Sequence, residues 1–215
     1  MPVRHVSAAL LVGALTATAA AASIVTIDNP SFETGTGYDQ TNLSGWTVDT
    51  GNVDIVSVWQ ASDGDQLLDL NGSKTGAISQ ALSGFAVGQR YELLFDLAGN
   101  PDGAPDVKTM RLSVGDESDT YTFDTTGKSI NDMGWVTESF FFTAEAATMT
   151  LGFTSLVDGR HGPALDNLRP EQRARRRGAR GQGDAPDQRG GKAKGQRIQR
   201  KRCGHRQSDQ ETGQR

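Results

Sequence analysis

Between Ile24 and Leu168 apolar and polar positions alternate in short runs, the two-residue period of strands with one buried face. Eight runs carry the pattern: VDIVSV (53–58), QLLDL (66–70), GAISQAL (76–82), RYELLFDL (90–97), VKTMRLSV (107–114), DTYTFDT (119–125), WVTESFFFT (135–143) and ATMTLGFTS (147–155). All are rich in β-branched or aromatic residues, which pack well on a pleated surface. Between them stand NGSKTG, AGNPDGAPD, GDES, TTGKSINDMG and VDGRHG, whose Gly, Asn, Asp and Pro residues suit turns. No stretch shows a helical apolar stripe with caps. About eight strands in this length predict an all-β domain, an antiparallel β-sandwich or jelly roll.

The alternation also assigns faces. In VKTMRLSV the expected inward set is Lys108, Met110, Leu112 and Val114; in RYELLFDL the residues Tyr91, Leu93, Phe95 and Leu97 share a face. Phe140 and Phe142 oppose Phe141, so that strand either exposes an aromatic ring or meets a second layer. Trp46 and Trp135 each follow a glycine at a strand start and are expected in the core.

The pattern ends abruptly. GPALDN (162–167) reads as part of a closing strand that stops at Leu168, after which large apolar side chains nearly vanish. Residues 1–168 carry 7 Lys+Arg against 21 Asp+Glu, whereas residues 169–215 carry 15 against 5. A chain segment so polar cannot bury enough surface to offset ordering its backbone, at ~1–2 kcal/mol per residue. Residues 169–215 are therefore expected to be a disordered basic tail. At the other end, residues 1–22 have a basic start (Arg4, His5), the apolar run AALLVGALTATAAAA and small residues at Ala20 and Ala22. This is the pattern of a secretory signal peptide cut before Ser23, and the run is too short to span ~30 Å of hydrocarbon comfortably. The expected organisation is signal peptide 1–22, β-sandwich 23–168 and tail 169–215, in a secreted or surface protein with no membrane span in the mature chain.

Chemistry is restricted by what these residues lack. The single cysteine, Cys203, lies in the tail, so the exported domain has no disulfide. His161 is the one histidine between residues 23 and 168, which excludes a His/Cys zinc site and a Cys nucleophile there. A Ser-His-Asp triad would rest on His161 alone, and neither GxSxG nor a P-loop occurs. So many acids make a glycosidase-like carboxylate pair at ~5–10 Å uninformative. No enzyme is expected. RARRRGAR and RIQRKR in the tail can neutralise phosphates, but without an aromatic to stack on bases, and beside an acidic exported domain, no specific nucleic acid is expected.

The segments NPSFE (29–33), GWTVDTGNVDIVSVWQASDGDQLLDLNGS (45–73), FDLAGNPDG (95–103), FDTTGKS (123–129), MGW (133–135) and GPALDN (162–167) resemble, in order and spacing, the bacterial choice-of-anchor C family, related to domain of unknown function 642. The resemblance covers nearly all of residues 24–168. It implies a galactose-binding-like jelly roll, an exported protein held at a cell surface or in a matrix, no established catalysis, and association with polysaccharide. Family members usually carry a sorting anchor after the ALDN strand. Here no apolar span follows Leu168, and a tail of Arg, Gly, Gln and Ala is what a GC-rich gene yields in a shifted frame. The expectation is that another frame beyond codon 168 encodes an apolar run of about 18 residues or more.

The resemblance also implies a structural calcium tying the first strand to the last. The matching positions are Glu33 and Asp166, with the SDGD turn (Asp63, Gly64, Asp65) offering a third oxygen, from Asp65 in particular. Calcium takes ~6–8 such hard oxygens. The other reading is that Asp166 and Asn167 cap a strand end and Glu33 is solvated. For sugar, an aromatic ring stacks on the apolar face of a pyranose while amides and carboxylates fix hydroxyls. Tyr38, Trp59, Asn100, Asp102 and His161 lie in loops or at strand ends where they could converge, and Trp59 reads equally as a core aromatic. The expected function is a non-catalytic domain binding extracellular or cell-wall carbohydrate; the alternative is a structural surface or matrix protein with no glycan affinity.

Overall fold

A computed structural model describes residues 24–172. The expected signal peptide and nearly all of the basic tail lie outside the described residues. The regular elements are strands: β1 (Gly37–Gln40), β2 (Thr47–Thr50), β3 (Val53–Val56), β4 (Leu67–Asp69), β5 (Ala77–Ser83), β6 (Arg90–Gly99), β7 (Val107–Val114), β8 (Glu117–Asp124), β9 (Val136–Thr143), β10 (Thr148–Ser155) and β11 (Pro163–Gln172). They form an antiparallel sandwich of jelly-roll type, with a six-stranded sheet ordered β1-β3-β4-β11-β6-β9 and a five-stranded sheet ordered β2-β5-β10-β7-β8.

All eight periodic runs are strands. The additions β1 and β2 are four residues each (GYDQ and TVDT), mostly exposed and largely polar, so they present no alternation to read. The closing strand corrects the expected boundary at Leu168. It continues to Gln172, with Arg169, Pro170, Glu171 and Gln172 opposite Leu94, Leu93, Glu92 and Tyr91 of β6. A bulge between Asp166 and Arg169, with Asn167 at φ 54°, restores the pairing after the apolar pattern has ended. Backbone ladders need no apolar side chains, and that is why composition placed the edge too early.

Burial follows the expected faces. Lys108, Met110, Leu112 and Val114 are all buried, as are Tyr91, Leu93, Phe95 and Leu97. Phe95 meets Tyr121 at 5.0 Å and Phe153 at 5.9 Å between ring centroids, and Phe153 meets Trp46 at 6.1 Å. Aromatic pairs of this kind add about 0.5–1.5 kcal/mol each beyond their buried area. Phe140 and Phe142 point inward, whereas Phe141 is an exposed aromatic with the Arg90 guanidinium 4.7 Å from its ring centre. Trp46 is buried in the core, and Trp135 packs against it half-buried.

The register prepares the functional region. Ile55, Leu68, Leu165 and Leu97 form one row across β3, β4, β11 and β6 and belong to the core. The adjoining row is Asp54, Asp69, Ala164 and Ala98. Side chains alternate between faces, so this row faces away from the second sheet. There the loops after β4, β6 and β10 close over it.

Candidate functional site

Those loops and the edge strand β1 enclose a cavity of about 320 Å³. Tyr38, Asp39, Asp54, Gly72 and Ser73 line one side; Asn100, Asp102, Arg160 and His161 line the other. The β1 side depends on an irregular backbone. The pairing with β3 slips between Gly37 and Gln40, and Asp39 sits at φ 55°, a left-handed conformation that a short polar side chain tolerates. The Tyr38 ring is left 62% exposed at the rim, while Asp39 turns to accept the Ser73 N–H and donates its own N–H to Asp54 Oδ1 at 2.7 Å. Gly72 is needed at this point because a Cβ there would collide with the side-chain oxygens of Asn52, Asp54 and Asp39. Asn52 secures the same turn by accepting the Lys74 N–H at 2.9 Å and donating to Ser73 Oγ at 3.0 Å.

The opposite side hangs on buried Asp69. Its Oδ2 accepts from Asn100 Nδ2 at 2.7 Å, and its Oδ1 accepts the Asn71 N–H at 3.0 Å. Asn100 Oδ1 in turn accepts the Asp102 N–H at 3.0 Å, which sets the start of the β6–β7 loop. Asn71 Nδ2 donates to the carbonyls of Val157 and Gly159 at 2.9 and 2.7 Å, holding the loop that carries Arg160 and His161. Lys108 Nζ donates to the Gly103 carbonyl at 2.6 Å, and the His161 imidazole lies so close to Gly103 that a Cβ would strike it. One carboxylate thus supports both loops without lining the cavity.

Burial pushes the Asp69 carboxyl up to about 8, against the pull of the Asn71 and Asn100 donors. Burial also raises Asp54, assisted by the charge of Asp39, whereas the bonds from Ser73 lower Asp39. Arg160 lowers both Asp39 and Asp54 through space, yet the one ion pair within 4.0 Å among the described residues is Arg169 with Asp96. Among the described residues no hydrogen bond engages the carboxylate of Asp102, the guanidinium of Arg160, the imidazole of His161 or the phenol of Tyr38. The cavity therefore presents a ring, acceptors and donors that the fold leaves uncommitted.

Of the residues expected from sequence to meet sugar, Tyr38, Asn100, Asp102 and His161 converge here. Trp59 does not line the cavity; it packs half-buried against the core, beside Gln60, whose carbonyl accepts the Trp135 Nε1–H at 2.8 Å. Asp39, Asp54, Ser73 and Arg160 escaped the sequence reading. Two of them were adjacent to expected residues in the chain, and the other two arrive by strand pairing and turn geometry.

The second acid-rich region surrounds the SDGD turn. Asp166 Oδ2 accepts the N–H groups of Ser62 and Asp63 at 2.8 and 2.9 Å, and Oδ1 accepts that of Asn167 at 2.7 Å. Glu33 Oε1 accepts the N–H groups of Asp65 and Gln66 at 2.9 and 2.8 Å. Burial carries Asp166 up to about 7, against those donors. For Asp96, burial pushes upward but bonds from Ser62, Thr137 and Asn167 outweigh it and hold the carboxyl below its usual range. The turn offers N–H donors to Glu33 and Asp166, where a cation requires lone pairs, and no group of three or more acidic, His or Cys side chains among the described residues is placed to hold a metal ion. Glu33, Asp65 and Asp166 are thus joined through backbone donors and do not fit a shared calcium cage.

Architecture and site define a jelly-roll β-sandwich domain with a polar pocket at one sheet edge. The chain belongs to the DUF642 family, whose model, described as a protein of unknown function, matches residues 25–169. That designation, and not the choice-of-anchor C name, is what the match supports. The chain is 35% identical over 133 residues to halomucin from Haloquadratum walsbyi, an alignment covering 60% of this chain and 1% of that protein. Among solved structures it is similar to TmCBM61 in complex with β-1,4-galactotriose (TM-score 0.48, 20% identity, 70% of this chain and 100% of that one). It is likewise similar to the CBM22-1 xylan-binding domain of Paenibacillus barcinonensis Xyn10C (TM-score 0.47, 21% identity, 72% and 97% coverage). These likenesses concern the chain trace; the sandwich itself is read from the strands above.

Proposed function

We propose that this chain is an exported, non-catalytic domain that binds extracellular or cell-wall carbohydrate in the pocket between β1 and the loops after β4, β6 and β10. The observation that carries the reading is the convergence of an exposed Tyr38 ring with the uncommitted groups of Asp102, Arg160 and His161 around a 320 Å³ cavity. A pocket of ~300–1,000 Å³ is the usual size for a small ligand. The ring supplies a stacking surface for the C–H face of a pyranose, and the polar groups supply acceptors and donors for its hydroxyls. Export rests on the apolar leader expected at residues 1–22.

Calorimetry of the full chain against a panel of oligosaccharides tests the proposal. At least one saccharide is expected to bind, to be recovered uncleaved, and to lose about tenfold in affinity when Tyr38 becomes Ala. Failure of every saccharide would leave a structural surface or matrix protein, and a cleaved product would overturn the non-catalytic part.

A further inference from the structure

Resting on that reading of the pocket, we infer that the site takes a cationic saccharide, a hexosamine unit whose amine is free, in preference to its N-acetylated and hydroxyl counterparts. The lining is unbalanced in charge. Asp39, Asp54 and Asp102 share the cavity with Arg160, so one guanidinium faces three carboxylates, and even an imidazolium at His161 would leave the sum negative. A cationic ligand lowers the repulsion that remains.

Two of the acids meet beside Gly72. Asp39 donates its N–H to Asp54 Oδ1 at 2.7 Å, and a Cβ at Gly72 would stand 2.8 Å from Asp54 Oδ1 and 2.9 Å from Asp39 Oδ1. Lacking a side chain, Gly72 leaves the space between these carboxylates clear. Asp54 is half-buried, and its Oδ2 takes no hydrogen bond among the described residues. Burial and the charge of Asp39 both push the Asp54 carboxyl up, and a cation beside the two acids offsets both effects. No group of three or more acidic, His or Cys side chains among the described residues is placed to hold a metal ion. The positive charge that suits this lining is therefore a larger group that reaches the carboxylates through N–H bonds.

An ammonium brings three donors and no acceptor, which is what carboxylates take, and such charge-assisted bonds are roughly twice as strong as neutral ones. N-acetylation removes the charge and leaves a single N–H; a hydroxyl in its place has a single O–H and no charge. The remaining lining recognises the sugar that carries the amine. The exposed Tyr38 ring offers its face to pyranose C–H groups and attracts a nearby cation. Arg160, whose guanidinium has no hydrogen bond among the described residues, donates to ring hydroxyls, whose lone pairs a bare polyamine lacks.

The test is calorimetry on the full chain with a β-1,4-linked glucosamine tetrasaccharide, its fully N-acetylated form, the corresponding glucose tetrasaccharide, and spermine as an amine without sugar, at one ionic strength and a pH that keeps the amines protonated. The free-amine tetrasaccharide is expected to bind about tenfold or more tighter than each of the other three, the size of one charge-assisted hydrogen bond. Added salt should shrink its lead over the two uncharged saccharides. Asp102→Asn should narrow that lead as well, whereas Asp116→Asn, in the turn between β7 and β8 on the other sheet, should leave it unchanged. The Asp102 carboxylate takes no hydrogen bond from the fold, so its variant reports on the pocket. An N-acetylated or glucose tetrasaccharide that binds as tightly as the free amine overturns this inference and leaves carbohydrate binding standing. Spermine that matches the aminosaccharide reduces the effect to attraction of charge and overturns it too. Absence of binding by every saccharide removes the proposed function, and the inference with it.

Discussion

Asp166 lies inside β11 at its bulge and Asp102 just past the end of β6; Asp166 has no exposed surface and takes three backbone N–H groups, whereas the carboxylate of Asp102 lines a cavity and takes none. The same contrast separates their surroundings. Around the SDGD turn, Ser62, Asp63, Asp65 and Gln66 direct their N–H groups at Glu33 and Asp166, and the region is a clasp closed by the chain itself. Around the pocket, the backbone is pinned just as firmly by Asn52, Asn71 and Asn100, yet the side chains of Tyr38, Asp102, Arg160 and His161 at the cavity surface stay uncommitted among the described residues. An acid-rich stretch is therefore not in itself a site. What distinguishes the two is which groups remain after the chain has satisfied its own hydrogen bonds.

This comparison can be broken most forcefully with pH. Asp69 and Asp166 titrate at about 8 and about 7 in the folded chain, both above the ordinary 3.8, so the fold holds protons that the unfolded chain has released. Their contribution is then greatest below about 4 and is lost as pH rises toward the folded values, at up to ~1.4 kcal/mol per pH unit for each group. Asp39 and Asp96, held low, act oppositely and lose their contribution as pH falls below 3.8. Denaturant midpoints measured between pH 5 and 7 should decline, and Asp69→Asn should flatten the decline; a rise over that interval contradicts the burial assigned to these acids.

Next in size is the clasp. Asp166→Ala strands three backbone donors and is expected to cost about 3 kcal/mol of stability while leaving saccharide affinity within a factor of ~2. Tyr38→Ala should do the reverse, with about a tenfold loss of affinity and a stability change inside ~0.5 kcal/mol. Trp59→Ala belongs with the clasp in this respect: melting temperature should fall and affinity hold, since the ring packs on the core. Equal effects of Tyr38 and Trp59 on binding would place the sugar elsewhere. The smallest expected effect is that of calcium. Because the turn presents N–H groups to Glu33 and Asp166, a chelator should leave the melting temperature unchanged, and a rise with added calcium would reveal a site that these residues do not form as arranged.

Legibility differed by element for a physical reason. β5, β7 and β10 were readable because a strand between a core and solvent must alternate, and β7 shows the rule down to its buried Lys108. β1 and β2 were not, because a short exposed edge strand is held by backbone bonds that impose no side-chain pattern. Tyr38, Asn100, Asp102 and His161 were recognisable as polar or aromatic residues in turn-rich segments. Arg160 was hidden in the turn VDGRHG, and Asp69 looked like one polar position in QLLDL.

By itself, the sequence determined the all-β class, most of the strands and the inward faces, since each follows from a local period of two. Only the tertiary structure decided that Asp69 is buried, that it ties two loops together, that Arg160 lines one cavity with Asp39 and Asp54, and that backbone N–H groups bond Glu33 and Asp166. Those facts depend on strand order and loop closure, which join residues as far apart as Ser62 and Asp166. A one-dimensional period carries face but not neighbour, and binding chemistry depends on neighbours.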